Sequence, residues 1–296
     1  MLNSHFKSIQ KAFLAKAELA KNRYKDFRYY DIPSYAINGL TPKKGYVLQQ
    51  NIAFGLKARQ HLDLYKSNKP HVKKPLIVFV YGGAWTHGDK SSYKFLGEAF
   101  AKEGFDVAIV NYHLAPEYIF PSYVDDISLA LNYLQQNAEK LKISTENTML
   151  MGHSAGAFNV MSLMYQAQAY HNFNQEHIKA IFGISGPYHF DYKGDPIAQD
   201  AFDQSIPYAE VMPYYFVDKN HVKHYLFLAA NDLVVKDQNT LDMHQKLTEV
   251  GNHSEIIRIA KTGHKSIIGS VSSLFSRFFS TKSEILKRMN EVLDQS

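Results

Sequence analysis

The chain has 296 residues, of which 45% are hydrophobic and 21% charged, so it can build a large core and is not expected to be disordered. Its formal net charge is +5, but the lysines and arginines are dispersed and their densest runs are pairs, which argues against a nucleic-acid-binding surface. The absence of cysteine excludes disulfides, thiol catalysis and cysteine-ligated metals.

The N-terminal residues 1–45 are predicted to form a helical extension. Apolar side chains recur at three- and four-residue spacing over 5–27, for example at Phe6, Ile9 and Phe13, with lysines between them. We expect this helix to pack on the rest of the protein, and a flap or a partner contact is the alternative. The charges in this region predict neither a signal peptide nor an integral membrane segment, and a cytoplasmic location is expected.

From residue 75 onward, nearly continuous apolar runs alternate with helical stretches. Such runs are typical of strands buried on both faces of a parallel sheet. The alternation predicts an α/β fold with a mostly parallel central sheet and helices on both faces. Strands are predicted at Pro75–Tyr81, Asp106–Tyr112, Asn147–Met151, Lys179–Ser185, His224–Ala230 and Glu255–Ala260, with an earlier pair around 46–66, and helices near 92–103, 122–141, 155–170 and 238–250.

Two later segments complete this fold, which is predicted to be a single domain over 1–296. The stretch 186–222 is irregular and rich in aromatic residues, and it lies between two predicted strands, where it would cover the carboxyl edge of the sheet. Insertions of this length are commonly lids or binding loops, so 186–222 is a candidate lid. A last helix is predicted from Thr281, with Glu284 completing a capping box.

The run Gly152-His153-Ser154-Ala155-Gly156 has the form G-x-S-x-G and lies between a predicted strand and a predicted helix. In that setting the serine occupies a strained, exposed turn, and the glycines let neighbouring backbones approach closely. The helix N-terminus behind it offers N–H groups to developing negative charge. The pattern alone is weak, but this context makes Ser154 a candidate nucleophile.

A serine nucleophile needs a base, and the base needs an acidic group that orients it. Asp232 and His264 each follow a predicted strand, so both are expected at the carboxyl edge of the sheet. The chain order Ser154, Asp232, His264 is that of an α/β-hydrolase triad. Asp237 and His253 compete for these roles, but Asp237 lies further from its strand and His253 precedes the last strand.

Acyl transfer also needs donors for an oxyanion. The strand Pro75–Tyr81 runs into two glycines that would let N–H groups point into a site, although a simple turn after a buried strand is the alternative. The predicted oxyanion hole comprises Gly82, Gly83, Ala84 and Ala155. Candidates for the wall of a substrate pocket are Tyr81, Trp85, His153 and Tyr188.

These motifs together resemble α/β-hydrolases of the hormone-sensitive-lipase and carboxylesterase group, in their esterase and kynurenine-formamidase-like branch. The similarity spans roughly 46–270 and rests on the Gly-Gly-x-Trp loop, the G-x-S-x-G run, the segment Asn51–Tyr65, and Asn111-Tyr112-His113-Leu114-Ala115-Pro116-Glu117 with Phe120-Pro121 and Asp125 or Asp126 after it. The group usually has His where this chain has Tyr81 and often Arg where it has His113. Glu117 matches a position that supports the structure of the site in the group.

The resemblance implies a carboxylic ester or related acyl hydrolase that needs no cofactor and no metal. We expect a small-molecule ester or formamide as its partner, and no nucleic acid; a homodimer stays open. A short-chain or aromatic ester is the first candidate substrate. An arylformamidase that hydrolyses N-formylkynurenine would use the same triad and is the nearest alternative, while a non-catalytic ligand-binding protein on this fold and a peptidase are further alternatives.

Overall fold

The computed structural model describes residues 32–166 and 173–295. The chain divides into a unit of residues 1–36 and a unit of residues 37–296, and the fold below is that of the second unit. A helix α1 runs over Ile32–Leu40. The predicted helix over 5–27 and most of the predicted extension lie outside the described residues.

An eight-stranded sheet forms the centre of the second unit. Its strands lie in the order β1-β2-β4-β3-β5-β6-β7-β8. β1 pairs with β2, and β2 with β4, in antiparallel fashion, and all the other neighbours are parallel. The strands are β1 Tyr46–Ala53, β2 His61–Ser67, β3 Leu76–Val80, β4 Asp106–Val110, β5 Thr148–His153, β6 Ile178–Ile184, β7 Lys223–Ala229 and β8 Ser254–Ile259. The predicted mostly parallel α/β sheet is confirmed.

The apolar runs form strands because both of their faces are covered. Every side chain of β3, β4 and β5 is buried, so these strands have no polar face. β1 and β8 lie at the two edges and contain exposed positions such as Val47 and Arg258. The continuous hydrophobicity read from the sequence therefore reflects a central position in the sheet.

Helices lie in most of the connections between parallel strands, and the last two helices follow β8. They are α2 Lys94–Ala101, α3 Ser122–Gln136, α4 Ala138–Leu141, α5 Ala155–Gln166, α6 Asp237–Glu249, α7 His264–Gly269 and α8 Thr281–Asp294. The predicted helix over 122–141 is interrupted at Asn137, where the backbone leaves the helical region, and its second part ends on Lys142 in the left-handed conformation. The predicted helix over 155–170 reaches Gln166, and 167–170 lie outside the described residues.

The predicted capping box at the start of α8 is wrong. Ser280 takes the N-cap position, and no side chain caps the first turn. The Thr281 hydroxyl lies 2.6 Å from the Ser270 hydroxyl instead, and the Glu284 carboxylate pairs with Arg288. A hydroxyl from the preceding loop therefore takes the Thr281 side chain, and a neighbour one turn along the same helix takes the Glu284 side chain.

The insertion 186–222 packs through its aromatic side chains. Phe202 stacks on Tyr192 with ring centroids 4.5 Å apart and meets Trp85 edge-on at 4.9 Å. At its other end, the His189 Nδ1 lies 2.6 Å from Asp242 on α6, and its Nε2 lies 2.9 Å from the Tyr215 hydroxyl. The insertion is thus attached at both places, and its role as a lid stays a prediction.

Close approach of α5 to β3 requires Gly156. A Cβ on Gly156 would lie 2.0 Å from the Val80 carbonyl oxygen, which is backbone and cannot rotate away. We expect Gly156→Ala to lower the free energy of unfolding by about 1–3 kcal/mol, the usual range for overpacking a tight site. Denaturant titration measures this.

The matched control is Gly39→Ala, because a Cβ at Gly39 meets nothing within 4 Å. Gly39 lies in α1, where alanine is the better helix former by up to about 1 kcal/mol, so this variant should be neutral or slightly more stable. A Gly156→Ala protein that unfolds at the wild-type denaturant concentration would contradict the packing described.

Candidate active site

Ser154 lies at the turn between β5 and α5 and has a backbone φ of 54°. Its N–H donates to the Ile184 carbonyl at 2.8 Å, and its carbonyl accepts from the N–H groups of Ala157 and Phe158. A non-glycine residue in the left-handed region is strained, and it persists because the surroundings hold it. The turn presents the serine Oγ at the carboxyl edge of the sheet.

The three residues predicted as a triad lie together. His264 Nε2 is 2.8 Å from Ser154 Oγ, and His264 Nδ1 is 2.9 Å from Asp232 Oδ2. Asp232 follows β7, and His264 begins α7 after β8, so each comes from the loop at the carboxyl end of its strand. The competing residues lie elsewhere: Asp237 pairs with Arg258 at 2.6 Å, and the His253 ring packs on Tyr225.

Asp232 is held as a carboxylate. Its Oδ1 accepts from the N–H groups of Val234 at 2.9 Å and Val235 at 3.0 Å. Burial would raise the pKa of Asp232, but the hydrogen bond and charge of His264 and these two N–H groups outweigh it and lower the pKa to about 2. An ionised carboxylate only accepts, so His264 carries its proton on Nδ1 and leaves Nε2 free to accept from Ser154.

The loop after β3 turns sharply beside the serine. Gly83, Ala84 and Trp85 have φ values of 142°, 50° and 59°, and the Thr86 and His87 N–H groups both donate to the Gly83 carbonyl. Within the described part of the chain, the N–H groups of Gly83, Ala84 and Ala155 have no hydrogen-bond acceptor. They are therefore free to bind an anion.

Gly82 lets the loop after β3 approach the turn at Ser154 closely; this turn between β5 and α5 is called the serine elbow below. A Cβ on Gly82 would lie 2.7 Å from the Ser154 Cβ and 2.8 Å from the His153 carbonyl oxygen. Any larger residue would push the loop away from the serine. The predicted role of Gly82 as a donor stays a prediction.

Tyr81 anchors the loop from below. Its hydroxyl accepts from Arg59 Nη2 at 2.8 Å and donates to Asn111 Oδ1 at 2.9 Å. Arg59 also donates to the carbonyl oxygens of Gly88 and Tyr112, each at 2.7 Å. The tyrosine that replaces the usual histidine thus acts with Arg59, which reaches the other end of the loop at Gly88. Sequence reasoning missed Arg59, because its partners lie 22 to 53 positions away and no local motif marks it.

Tyr81 and Tyr188, two of the predicted walls of a substrate pocket, do not reach the accessible surface. Both side chains are fully buried, Tyr188 against Gly183 and Gly186. Trp85 is 2% exposed, and its Nε1 donates to Asn159 Oδ1 at 2.9 Å. These rings form the core behind the site rather than its accessible surface. His153 is also buried, with Nε2 2.8 Å from the His264 carbonyl oxygen.

Asp126, rather than Asp125, is the partner of His113. Its Oδ2 lies 2.6 Å from His113 Nδ1 and accepts from the His113 N–H at 2.7 Å. Gln60 donates to the other oxygen at 2.9 Å. His113 therefore makes a buried hydrogen bond to a carboxylate at the position where the resembling group often has arginine. Glu117 is exposed, so its expected support of the site is not seen.

A mostly parallel sheet with a serine elbow, a histidine and an aspartate at its carboxyl edge defines the α/β-hydrolase fold. The structure resembles a solved bacterial heroin esterase with a TM-score of 0.73 and 20% identity, covering 94% of this chain and 92% of that one. The chain matches the BD-FAE family model over residues 62–247, and it belongs to that family.

Two curated relatives of similar sequence have different named activities. Isoprenylcysteine alpha-carbonyl methylesterase ICME of Arabidopsis thaliana is 32% identical over 148 residues, which cover 48% of this chain and 34% of the relative. Kynurenine formamidase of Drosophila melanogaster is 27% identical over 149 residues, which cover 50% of this chain and 48% of the relative. The match thus spans a third to a half of the length of these relatives. None of the helices within 32–166 and 173–295 has the length and apolarity needed to cross a membrane.

Tyr81→Phe tests the anchoring of the loop. The variant keeps the ring but removes an acceptor of Arg59 and the donor to Asn111, both partly or fully buried. We expect the free energy of unfolding to fall by about 1–3 kcal/mol, the usual effect of leaving a buried polar group unpaired.

The control is Tyr188→Phe, since the Tyr188 hydroxyl is equally buried but has no hydrogen-bond partner among the described residues. That variant should be neutral or more stable in the same denaturant titration. Equal losses in the two variants would show that the hydrogen bonds of the Tyr81 hydroxyl add nothing beyond the loss of a buried hydroxyl.

Proposed function

We propose that this protein is a serine hydrolase that cleaves short-chain or aromatic carboxylic esters through an acyl-enzyme. The observation that carries the proposal is the continuous chain of contacts from Ser154 Oγ through His264 to Asp232, at 2.8 and 2.9 Å. The methylesterase among the relatives and the esterase among the solved structures support an ester as the substrate.

In the acylation step, Ser154 Oγ attacks the ester carbonyl carbon while His264 Nε2 takes the serine proton. The carbonyl oxygen becomes an oxyanion, and the N–H groups of Gly83, Ala84 and Ala155 donate to it. The tetrahedral intermediate collapses when the C–O bond to the alcohol breaks and His264 returns the proton to the leaving oxygen. Water then attacks the acyl-enzyme by the same route and releases the acid.

Asp232 has an electrostatic and an orienting role in both steps. It accepts a hydrogen bond from the Nδ1–H of His264 and stabilises the imidazolium that forms when Nε2 is protonated. Its lowered pKa keeps the carboxylate charged throughout the neutral range. The aspartate itself takes up no proton during the cycle.

The aromatic surroundings favour an uncharged or aromatic substrate. Trp85, next to the proposed oxyanion donors, packs on Phe158 at 5.3 Å and on Phe202 of the insertion at 4.9 Å. Phe120 and Phe190 extend this cluster and are only partly buried. An aryl or short alkyl group would find apolar contacts on Phe120 and Phe190, whereas a charged group would lose hydration there.

An arylformamidase is the second candidate, and the Drosophila relative named kynurenine formamidase is the observation that favours it. The triad and the oxyanion donors would serve a formyl amide equally well. The difference lies in the size of the acyl group and in the leaving group, so a substrate panel separates the two.

Ser154→Ala tests the proposed nucleophile. Hydrolysis of p-nitrophenyl acetate, butyrate and octanoate and of N-formylkynurenine should fall by about 10³-fold or more in this variant, since the nucleophile is lost. Wild-type protein should cleave the short esters faster than the formamide. Faster cleavage of N-formylkynurenine than of the esters would instead support the arylformamidase.

The matched control is Ser162→Ala, on the same helix α5, which removes a buried hydroxyl that has no hydrogen-bond partner among the described residues. It should keep wild-type turnover. Undiminished turnover by Ser154→Ala would remove the basis of the mechanism.

Asp232→Asn tests the role of the carboxylate. The amide favours the wrong histidine tautomer, and kcat should fall by about 10⁴-fold. Because the native pKa of Asp232 is lowered, its contribution to stability is present above about pH 4 and is lost as the pH falls towards 2.

The free energy of unfolding of wild-type protein should therefore exceed that of Asp232→Asn by about 1–2 kcal/mol at pH 7, and the gap should narrow between pH 4 and 2. Denaturant titrations of both proteins at several pH values measure the gap. A gap that is constant with pH would show that the carboxylate is not stabilised as described.

A further inference from the structure

We propose that His153, the residue before the nucleophile, is a positioning residue that holds the loop of His264 in place against the serine elbow. This inference rests on the proposed function of Ser154 and His264. Its basis is a buried side-chain contact: His153 is 4% exposed, and its Nε2 lies 2.8 Å from the His264 carbonyl oxygen. The rings of the two histidines lie 5.1 Å apart.

The contact determines where the His153 proton lies. A carbonyl oxygen can only accept a hydrogen bond, so Nε2 must carry the proton and donate it. Burial, with the neighbouring His264 as a second cause, lowers the pKa of His153 to about 3. His153 is therefore neutral at the pH of an ester hydrolysis assay, and it is not a second base.

The neutral state of His153 suits its position. In the proposed reaction, His264 becomes positively charged each time it takes the serine proton. A charged neighbour at this distance would oppose that charge, because like charges in a buried site disfavour each other. A neutral donor can hold the His264 backbone without that penalty.

The environment of the other ring nitrogen, Nδ1, indicates that position 153 needs a histidine for its Nε2 hydrogen bond. His153 Nδ1 is buried and has no hydrogen-bond partner among the described residues. A Cβ on Gly82 would lie only 3.2 Å from Nδ1, so the His153 ring fills the space beside the loop after β3. A residue that only filled space would be better apolar, since an unpaired buried nitrogen is unfavourable.

The His264 loop is tied to the rest of the site from two sides. On the side of Asp232, the Asn231 N–H donates to the Thr262 carbonyl at 2.8 Å. On the side of Ser154, His153 reaches the backbone of His264 itself. Because His153 and Ser154 share one strained turn, this bond fixes the imidazole relative to the serine Oγ. Errors of about 1 Å in such positions can reduce rates by about 10²-fold.

The test compares three substitutions of His153. His153→Phe keeps a ring and removes the donor, and it should lower kcat for p-nitrophenyl butyrate by about 10- to 100-fold while KM changes by less than about threefold. His153→Gln places an amide donor at a similar reach and should restore kcat to within about fivefold of wild type. His153→Asn has the same amide on a shorter side chain and should behave like His153→Phe.

Thermal unfolding of each variant separates positioning from loss of fold. A folded His153→Phe protein with kcat within about twofold of wild type would overturn the proposal. So would equal kcat values for His153→Gln and His153→Asn, and this second comparison decides the matter if His153→Phe does not fold. A higher KM with unchanged kcat would indicate a substrate contact and would also overturn it.

The activities of wild-type protein and of Ser154→Ala distinguish a failure of the positioning role from a failure of the proposed function. If wild-type protein hydrolyses the esters and Ser154→Ala does not, the hydrolase mechanism stands, and the His153 series alone decides the positioning role. If Ser154→Ala is as active as wild type, the mechanism fails, and with it the reason to position His264.

Discussion

The left-handed turn at Ser154 is the constraint on which the rest of the site depends. Its φ of 54° is unfavourable for a residue with a side chain, so the surrounding structure must hold it. The Ile184 carbonyl of β6 accepts a hydrogen bond from the Ser154 N–H, and Gly156 lets α5 pack directly against β3. Only when these contacts form does Oγ lie where an imidazole from another loop can reach it.

The parallel sheet then brings the other groups to the same edge. β3 ends in the loop with the free N–H groups, β7 ends before Asp232, and β8 ends before His264. Parallel strands have all their carboxyl ends on one side of the sheet. The backbone topology alone therefore brings together residues that are more than a hundred positions apart in the sequence. The distances of 2.8 and 2.9 Å are the result.

A second group of contacts stabilises this edge from beneath. Arg59 and Tyr81 hold the loop after β3, the pair of Asp126 and His113 holds the loop after β4, and His153 reaches the carbonyl of His264. All of these side chains except Arg59 are less than 9% exposed. A buried polar network of this kind rigidifies a site because each unpaired member would be unfavourable.

The strands and the proximity of Ser154, Asp232 and His264 could be predicted from the sequence, because they depend on local signals. Hydrophobic continuity marks buried strands, and position relative to a strand end marks the carboxyl edge, which distinguished Asp232 from Asp237 and His264 from His253. These signals require no knowledge of which distant residues pack together.

The remaining features depend on tertiary contacts and could not be predicted in this way. Position near the motifs predicts Tyr81, Trp85 and Tyr188 in a pocket wall, but the burial of their side chains depends on tertiary packing. Arg59 carries no local signal. The capping box failed because Thr281 meets a hydroxyl from a loop eleven positions away.

The most direct test of the central claim is covalent labelling by diethyl p-nitrophenyl phosphate, followed by peptide mass spectrometry. The phosphoryl group mimics the ester carbonyl and stays on an activated serine. We expect a single diethylphosphoryl group on the peptide containing Ser154 and no label on Ser154→Ala. A label on another serine, or labelling that persists in Ser154→Ala, would contradict the assignment of Ser154 as the nucleophile.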